Sequence, residues 1–321
     1  MESKKFYLET TIVHERVDMT TLTILIPLFG RDYATKRILN DMRENNTPFK
    51  VLFADGSGND NSEWINNEAE GLDMEYHNFG RDNDIHQFMR KMDSACSKIT
   101  TPFTVMVDDD LVSVEGFAEG VDFLSSNNDF ASFREDVNDG RSIYTNGSIV
   151  AEDKLQRIKD IYKESTSGGM NSAWHDIFRT PILKKFFKIM NRSETQDFQF
   201  VQLVQKFWHL FFGKSHRGHT KPYIHHIDGD SLVQGKSFYV KYGQWVQDSR
   251  FESSARIMSS MVRCALQDRE AEEIYSIQKL IIEDPYIFSG HNPLHHQDTI
   301  ASIIEDSLVH DEMVNGVLLG E

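Results

Sequence analysis

The first 135 residues alternate between short apolar runs and amphipathic segments, and this alternation constrains the fold more than any other feature. Apolar runs predict strands, and the segments between them carry apolar residues at helical spacing. The predicted strands are Leu22–Leu28, Lys50–Ala54, Leu72–Tyr76, Phe103–Val107 and Asp129–Arg134. The predicted helices are Asp32–Glu44, a short one after Ser62, Asp84–Lys98 and Val114–Ser125. Strands that alternate with helices indicate an α/β fold with an open, mostly parallel sheet flanked by helices.

The pattern changes beyond residue 140. The sequence predicts a strand or hairpin arm over Arg141–Val150, a polar loop over Lys163–Asn171, helices at about 181–190 and 195–212, and a short strand over Tyr223–Ile227. From Gln244 onward the chain is predicted to be mostly helical. We therefore expect an N-terminal extension (1–19), a sheet domain (20–243) and a helical C-terminal region (244–321).

Composition excludes several classes of protein. The net charge is −16 over 321 residues, which argues against nucleic-acid binding, because that function relies on basic surfaces. Cys96 and Cys264 lie far apart without CxxC spacing, so we expect unpaired thiols in a reducing cytosol. No apolar signal-peptide core follows the first residues, and no run of about 20 apolar residues could span a membrane. We expect a cytoplasmic protein without a transmembrane segment.

Three consecutive carboxylates follow the fourth predicted strand. Asp108, Asp109 and Asp110 would repel one another inside a sheet, but they are solvated beyond the strand's carboxyl end. Ligands of open α/β sheets bind in crevices at that edge. Hard cations such as Mg²⁺ and Mn²⁺ prefer oxygen ligands and bridge carboxylates to phosphates. The triplet therefore indicates a metal-bound phosphate ester, with a solvated turn or a helix start as the alternative.

A glycine-bearing loop, Asp55-Gly56-Ser57-Gly58, follows the second predicted strand. Glycines permit close backbone approach to a ligand, and an Asp at a strand end can accept hydrogen bonds from a base or ribose. A plain Asx turn is the alternative interpretation. The P-loop pattern GxxxxGK[ST] and the dinucleotide pattern GxGxxG are absent, which disfavours kinase, ATPase and dehydrogenase functions.

The order of these motifs points to a known family. Pro27-Leu28-Phe29-Gly30-Arg31 follows the first strand, Asp55-Gly56-Ser57 the second, Asn78-Phe79-Gly80 the third and Asp108-Asp109-Asp110 the fourth. This order resembles the inverting, nucleotide-sugar-dependent glycosyltransferases of the GT-A fold, in the broad family 2 group, over roughly residues 20 to 200. The resemblance implies transfer of a sugar from a nucleoside-diphosphate donor, with a UDP-sugar expected, to a saccharide or lipid-linked acceptor, as in polysaccharide biosynthesis.

The resemblance also implies roles for individual residues. Asp108 would lie nearer the ribose, and Asp110 would ligate Mn²⁺ or Mg²⁺ beside the diphosphate. The family usually has Asn where Gly30 stands. The residues expected to contact the nucleotide are Pro27, Arg31, Asp55, Gly56, Ser57, Arg81, Asp108 and Asp109. One of His225 and His226 is a candidate additional metal or phosphate contact, because only one of two adjacent strand residues can face a site; ordinary sheet or surface histidines are the alternative.

An inverting transfer needs a base that deprotonates the acceptor hydroxyl. Glu194-Thr195-Gln196-Asp197 resembles the family's Glu-Asp segment, with Gln196 departing from the expected Glu. Asp197 is the candidate base, and helix capping is the alternative for the same residue. Asp176, which follows Trp174 and His175, is the second candidate base.

Two other functions stay open. A nucleotidyltransferase can share a similar sheet and also uses carboxylate-held Mg²⁺, although Phe29-Gly30-Arg31 matches its basic glycine-rich signature poorly. A non-catalytic binding module on the same fold is the third hypothesis. The apolar helix after Asp197 is expected to be buried, with peripheral membrane contact near Lys184, Lys185 and Lys188 as the alternative.

Overall fold

The computed structural model describes residues 19–30, 32–107, 113–134, 147–164, 173–218 and 242–320. Within these ranges the strands are β1 (Leu22–Leu28), β2 (Lys50–Asp55), β3 (Met74–Asn78), β4 (Phe103–Met106), β5 (Phe130–Arg134), β6 (Ile177–Arg179) and β7 (Lys214–Arg217). The helices are α1 (Asp32–Glu44), α2 (Ser62–Glu68), α3 (Ile85–Lys98), α4 (Val114–Ser126), α5 (Lys154–Glu164), α6 (Thr180–Arg192), α7 (Phe198–Trp208), α8 (Ser249–Ala265), α9 (Ala271–Phe288), α10 (Gln297–Asp306) and α11 (Asp311–Leu319). Short 3₁₀ helices lie at Met19–Thr21, His209–Phe211, Tyr242–Gln247, Pro293–His296 and Ser307–His310.

In the described part of the chain, the seven strands form one sheet in the order β3-β2-β1-β4-β6-β5-β7. Strands β1 to β4 pair in parallel, β6 is antiparallel to both of its neighbours, and β7 is parallel to β5. The carboxyl ends of β1 to β5 and β7 therefore point to one edge of the sheet, and β6 begins at that edge. The predicted α/β fold with a mostly parallel, helix-flanked sheet is confirmed.

The central strands are buried on both faces. Leu25 and Leu52 face a core built with α3, α6 and α7, whereas Ile24, Ile26 and Phe53 face a second core under α1 and α4. Successive residues of a strand point to opposite faces, so β1 is apolar at nearly every position.

The C-terminal helices continue the first of these cores. Helix α8 packs against α9, α10 and α11, and α11 also contacts α6. Apolar side chains of these helices, among them Met261, Ile281 and Val314, belong to the same buried cluster as α6 and α7. The predicted helical character from Gln244 onward is confirmed. The proposed domain boundaries stay a prediction, and the apolar core is continuous across residue 243.

Helix α7 is buried inside the protein, as its apolar sequence predicts. Phe200, Val204 and Phe207 are at most 1% exposed. Two of the three lysines considered for membrane contact bind backbone carbonyls of the protein: Lys184 Nζ donates to the Ile99 carbonyl at 2.7 Å, and Lys185 Nζ donates to the Leu318 carbonyl. No helix in the described ranges combines the length and apolarity that crossing a bilayer requires.

The structure corrects several predicted elements. The third strand runs from Met74 to Asn78 instead of Leu72 to Tyr76. Helix α5 and strands β6 and β7 were not predicted. The two strands lack a sequence signal, because β6 has only three residues and β7 (Lys-Ser-His-Arg) lacks apolar alternation. Of the predicted strand over 141–150, only 147–150 is described, and there Ile149 forms a single bridge with Ser215. The predicted strand over Tyr223–Ile227 and the N-terminal extension to residue 18 lie outside the described residues.

The close approach of α4 to the sheet generates a stability prediction. A Cβ at Gly120 would lie 2.4 Å from Ile177 Cδ1 and 2.7 Å from Phe133 Cδ1. In an unobstructed helix Gly→Ala stabilises by about 0.5–1 kcal/mol, but overpacking of a core costs about 1–3 kcal/mol. We expect Gly120→Ala to lower the free energy of unfolding by about 1–2 kcal/mol in urea titrations. Asp122→Ala, exposed on the same helix, is the control, and a stabilised Gly120→Ala variant would contradict the packing.

Candidate functional site

The motif-bearing ends of the first four strands meet at one edge of the sheet. Leu28 is the register partner of Asp55, and Asp55 is the partner of Asn78. Backbone hydrogen bonds continue the alignment beyond the strands: Gly56 N–H donates to the Leu28 carbonyl at 3.0 Å, and Phe79 N–H donates to the Asp55 carbonyl at 2.9 Å. The structure thus brings Pro27, Asp55 and Gly56 together, as the order of the motifs predicts.

Asp55 is the internal anchor of the loop that follows β2. Its Oδ1 accepts a hydrogen bond from Ser57 N–H at 2.8 Å, and its Oδ2 accepts from Asn61 Nδ2 at 2.8 Å and from Tyr76 Oη at 2.6 Å. The side chain has no solvent exposure. These three donors satisfy the buried carboxylate and fix the conformation of the loop. Ser57 and Arg81 are more exposed than Asp55, and they form the solvent-facing surface of the loop. Contact between Asp55 and a base stays a prediction.

A buried ion pair holds the next loop against the first strand. Lys91 Nζ lies 2.5 Å from Asp82 Oδ2 and donates to the Leu28 carbonyl at 3.2 Å. Lys91 is 2% exposed and Asp82 6%. Gly56 is needed at this point, because a Cβ there would lie 2.1 Å from Asp82 Oδ2. The pair therefore ties β1, the loop after β2 and the loop after β3 to helix α3.

A cleft of about 220 Å³ opens beside this ion pair. Phe79, Arg81 and Asp82 line it from the loop after β3, and Gln87, Arg90, Lys91 and Ser94 line it from α3. Arg81 and Arg90 are exposed. Guanidinium groups bind phosphate and carboxylate oxygens with two parallel hydrogen bonds, so this side of the edge suits an anionic ligand. The backbone of Arg81 also forms an isolated antiparallel β-bridge with that of Ser57.

The expected metal ligands and several of the expected nucleotide contacts lie outside the described residues. These are Asp108, Asp109 and Asp110, and also Arg31, His225 and His226. Val107, the last described residue before the triplet, donates its N–H to the Leu25 carbonyl at 3.0 Å. The triplet thus follows a strand end at the centre of the edge, between β1 and β6. A donor set of carboxylates suits Mg²⁺ or Mn²⁺. Across the ranges the structure describes, no three His, Cys, Asp or Glu side chains converge as a metal site.

Asp197 caps helix α7 and is almost fully buried. Its Oδ1 accepts from Phe200 N–H at 3.1 Å, and its Oδ2 accepts from Trp245 Nε1 at 2.8 Å. Burial raises the pKa of this carboxyl above its usual range, and the two hydrogen bonds oppose that rise. The capping interpretation is confirmed. The base role stays a prediction, and the raised pKa is the direction that proton acceptance near neutral pH requires.

An aromatic cluster connects the surroundings of Asp197 with the ion pair. Phe198 follows Asp197, and its ring centroid lies 6.1 Å from that of Phe88 and 5.9 Å from that of Trp174. The Phe88 ring in turn lies 4.8 Å from Lys91 Nζ. Trp174 is 4% exposed, so it belongs to the core.

Asp176 lies at the same edge, where β6 begins. Arg134 Nε donates to Asp176 Oδ1 at 2.8 Å. His175 Nδ1 lies 3.2 Å from the Met106 carbonyl, which joins the start of β6 to the end of β4. Asp176 is 3% exposed, and burial raises its pKa while Arg134 opposes the rise. Asp176 and Asp197 are thus both buried carboxyls, and each has a strong hydrogen-bond donor.

Several residues of this edge were not predicted from the sequence. Lys91 was missed because a lysine in an amphipathic helix is expected to extend its ammonium group to solvent, whereas this one lies on the buried face of α3. Trp245 was missed because it approaches Asp197 from the C-terminal region. Arg134 could have been identified from the sequence, because it is the last residue of a predicted strand whose carboxyl end lies at this edge.

The fold matches crystal structures of TarS from S. aureus. Residues 1–349 of TarS align with 93% of this chain at a TM-score of 0.59 and 14% identity, covering 83% of that chain. The TarS 1–349 complex with UDP-GlcNAc aligns at a TM-score of 0.59 and 15% identity, covering 93% of this chain and 84% of that chain. A longer TarS structure matches at a TM-score of 0.56 and 14% identity, covering 83% of this chain and 44% of that chain.

No family model and no curated protein sequence matches this chain. The likeness to TarS therefore rests on three-dimensional structure. It shows that the chain has the GT-A fold of nucleotide-sugar glycosyltransferases, and the fold expected from the motif order is confirmed.

The buried histidine near Asp176 generates a prediction about pH. Burial lowers the pKa of His209 to about 3, and an unfolded histidine titrates near 6.5. A lowered folded-state pKa contributes stability above the unfolded pKa, and this stability is lost as the pH falls from about 6.5 toward 3. In that window His209→Gln should reduce the slope of unfolding free energy against pH by up to about 1.4 kcal/mol per pH unit.

Urea unfolding measured between pH 4 and 7 checks this slope. His295→Gln, at an exposed position, is the matched control and should leave the slope nearly unchanged. An identical slope in the His209→Gln variant and the unaltered protein would show that His209 does not resist protonation.

Proposed function

We propose that this protein is a glycosyltransferase that moves a sugar from a nucleoside-diphosphate donor to an acceptor hydroxyl. The observation that carries the proposal is the aligned edge: strand-end residues from β1, β2 and β3 are register partners on a sheet with the GT-A fold. Ligands of open α/β sheets bind at the carboxyl edge, and the predicted nucleotide contacts are concentrated there.

The donor we propose is a UDP-sugar. TarS, which shares the fold, has been crystallised with UDP-GlcNAc. The cleft beside Asp82 supplies Arg81 and Arg90, two exposed cations in a chain whose net charge is −16. Such local positive charge is what an acidic protein needs in order to bind a diphosphate.

We further propose that a divalent cation, Mn²⁺ or Mg²⁺, takes part. Asp110 and Asp108 would hold it, with His225 or His226 as an additional contact. When bound, the cation would neutralise charge that develops on the departing nucleoside diphosphate. Ser57 and the backbone of Gly56 would border the nucleotide, and the Lys91–Asp82 pair would keep these loops in place.

The proposed mechanism inverts the anomeric carbon, with Asp197 as the base. Asp197 Oδ1 and Oδ2 each accept one hydrogen bond, so each retains capacity for a second. Its raised pKa suits acceptance of the acceptor proton during direct displacement. Asp176 is the second candidate for this role. The acceptor class we propose is a saccharide or glycoconjugate hydroxyl, including lipid-linked acceptors.

The most direct functional test measures UDP release from a panel of UDP-sugars with and without Mn²⁺. The unaltered chain should hydrolyse or transfer at least one donor in a Mn²⁺-dependent reaction. Asp110→Ala should lower that rate by at least about a hundredfold, because Asp110 would hold the cation that stabilises the departing diphosphate, and loss of one such electrostatic contribution typically costs 10²–10³ in rate. Asp122→Ala is the surface control and should retain full activity.

Other outcomes would replace the proposal. Pyrophosphate release from a nucleoside triphosphate and a sugar phosphate would identify a nucleotidyltransferase. Calorimetry without Mn²⁺-dependent nucleotide binding, together with the absence of transfer and donor hydrolysis, would indicate a binding module. Full activity of Asp110→Ala would instead show that Asp110 holds no catalytic cation.

A further inference from the structure

A small polar cavity lies at the same sheet edge, on the side of β4 away from Asp55. Its volume is about 20 Å³, which suffices for one water molecule or one hydroxyl group. The charged and histidine side chains that line it are Arg134, Asp176, Lys206, His209, His216 and Arg217, and Ser215 adds a hydroxyl group. Arg134 and Arg217 end strands β5 and β7, and Asp176 precedes β6. The cavity is thus built by the half of the edge that the nucleotide motifs do not use.

One carboxylate oxygen in this cavity has no partner among the described residues. Asp176 Oδ1 accepts the hydrogen bond from Arg134, but Oδ2 is buried without a donor. Leaving a buried acceptor unsatisfied costs about 1–3 kcal/mol, and more for a charged group. A carboxylate oxygen accepts hydrogen bonds only, so the group that fits must bring a donor.

The register of β6 shows where Asp176 lies relative to the end of β4. Ile177 lies opposite Val105 in the β4–β6 pair, so Asp176 lies at the level of Met106, two residues before Asp108. The cavity therefore lies on the β5–β7 side of the strand that precedes the expected metal ligands. The nucleotide motifs lie on the β1–β3 side of that strand, which leaves the β5–β7 side for the second substrate.

We propose that Asp176 Oδ2 binds a hydroxyl group of the acceptor, and that the acceptor is a polyhydroxyl compound such as a sugar or an alditol. The inference rests on the proposed glycosyl transfer. The hydroxyl donates to Oδ2 while Arg134 keeps the carboxylate oriented through Oδ1. This hydroxyl is a recognition group, distinct from the one that receives the sugar, so no proton is transferred to Asp176. In the free protein a water molecule takes its place.

The test compares acceptor kinetics of the full chain and its variants. Alditols and free hexoses serve as acceptor probes, with the UDP-sugar that gives the fastest Mn²⁺-dependent UDP release as donor. Asp176→Asn keeps an oxygen for Arg134 but presents an N–H₂ group to the cavity. We expect the KM for the best probe to rise about ten- to a hundredfold, because a hydrogen bond to a charged group is lost. The KM should change by a larger factor than kcat, a split that loss of a general base would not produce.

Two further variants separate recognition from stability. Asp129→Asn removes an Asp–Lys214 ion pair (2.7 Å) at the start of β5, on the opposite edge, and should leave the acceptor KM unchanged. Asp176→Glu retains the charge for Arg134 but extends into the cavity, so it should not restore the KM. Thermal unfolding of each variant, measured alongside, reports any loss of folding.

The outcomes distinguish this inference from the proposed function. An unchanged KM in Asp176→Asn would show that the cavity holds only water. A fall in kcat at constant KM would instead make Asp176 the base. If no polyhydroxyl probe raises UDP release above hydrolysis, the assigned acceptor class is wrong, while donor hydrolysis still supports the nucleotide-sugar site. Absence of donor hydrolysis and of donor binding would overturn the proposed function itself, and this inference with it.

Discussion

The buried pair of Lys91 and Asp82 is the interaction on which the candidate site most depends. Lys91 extends from α3, Asp82 lies in the loop after β3, and the Leu28 carbonyl ends β1, so one ammonium group joins three chain segments. Removing one member of a buried pair typically costs about 3–5 kcal/mol, because the other charge is left uncompensated. The same pair explains Gly56, since only a residue without a side chain fits against the Asp82 carboxylate.

The sheet edge is divided into two halves with different chemistry. On the β1–β3 side, Asp55 and the ion pair fix the loops and two exposed arginines line an open cleft. On the β5–β7 side the cavity is small, Asp176 is buried, and Arg134 and Asp176 form a second ion pair. The C-terminal helices complete this second side: Trp245 binds Asp197, and Lys206 lies 3.8 Å from Asp284 of α9. The C-terminal region is therefore part of the framework that positions the candidate base.

The sequence allowed the sheet and the order of its motifs to be predicted, because apolar runs and helical spacing are local signals. The bounds of β1 and α1 agree with the prediction at both ends. The three-residue strand β6 and the polar strand β7 carry no such signal, since their residues are held by neighbouring strands. The side-chain contacts within the site could not be predicted from the sequence. Trp245 and Asp197 lie 48 residues apart, and nothing in either segment indicates their pairing. Lys91 belongs to an apolar helix face, and its burial depends on the tertiary position of Asp82.

We propose that the carboxyl edge of this sheet binds a nucleoside diphosphate through a divalent cation. A crystal structure of the full chain soaked with Mn²⁺ and UDP tests it most directly. We expect Mn²⁺ on Asp110, the diphosphate beside the end of β4, and the uracil near Ser57 and Arg81. Anomalous scattering at the manganese edge would identify the ion. A nucleotide bound elsewhere, or Asp108 and Asp110 turned away from the edge without metal, would contradict the account.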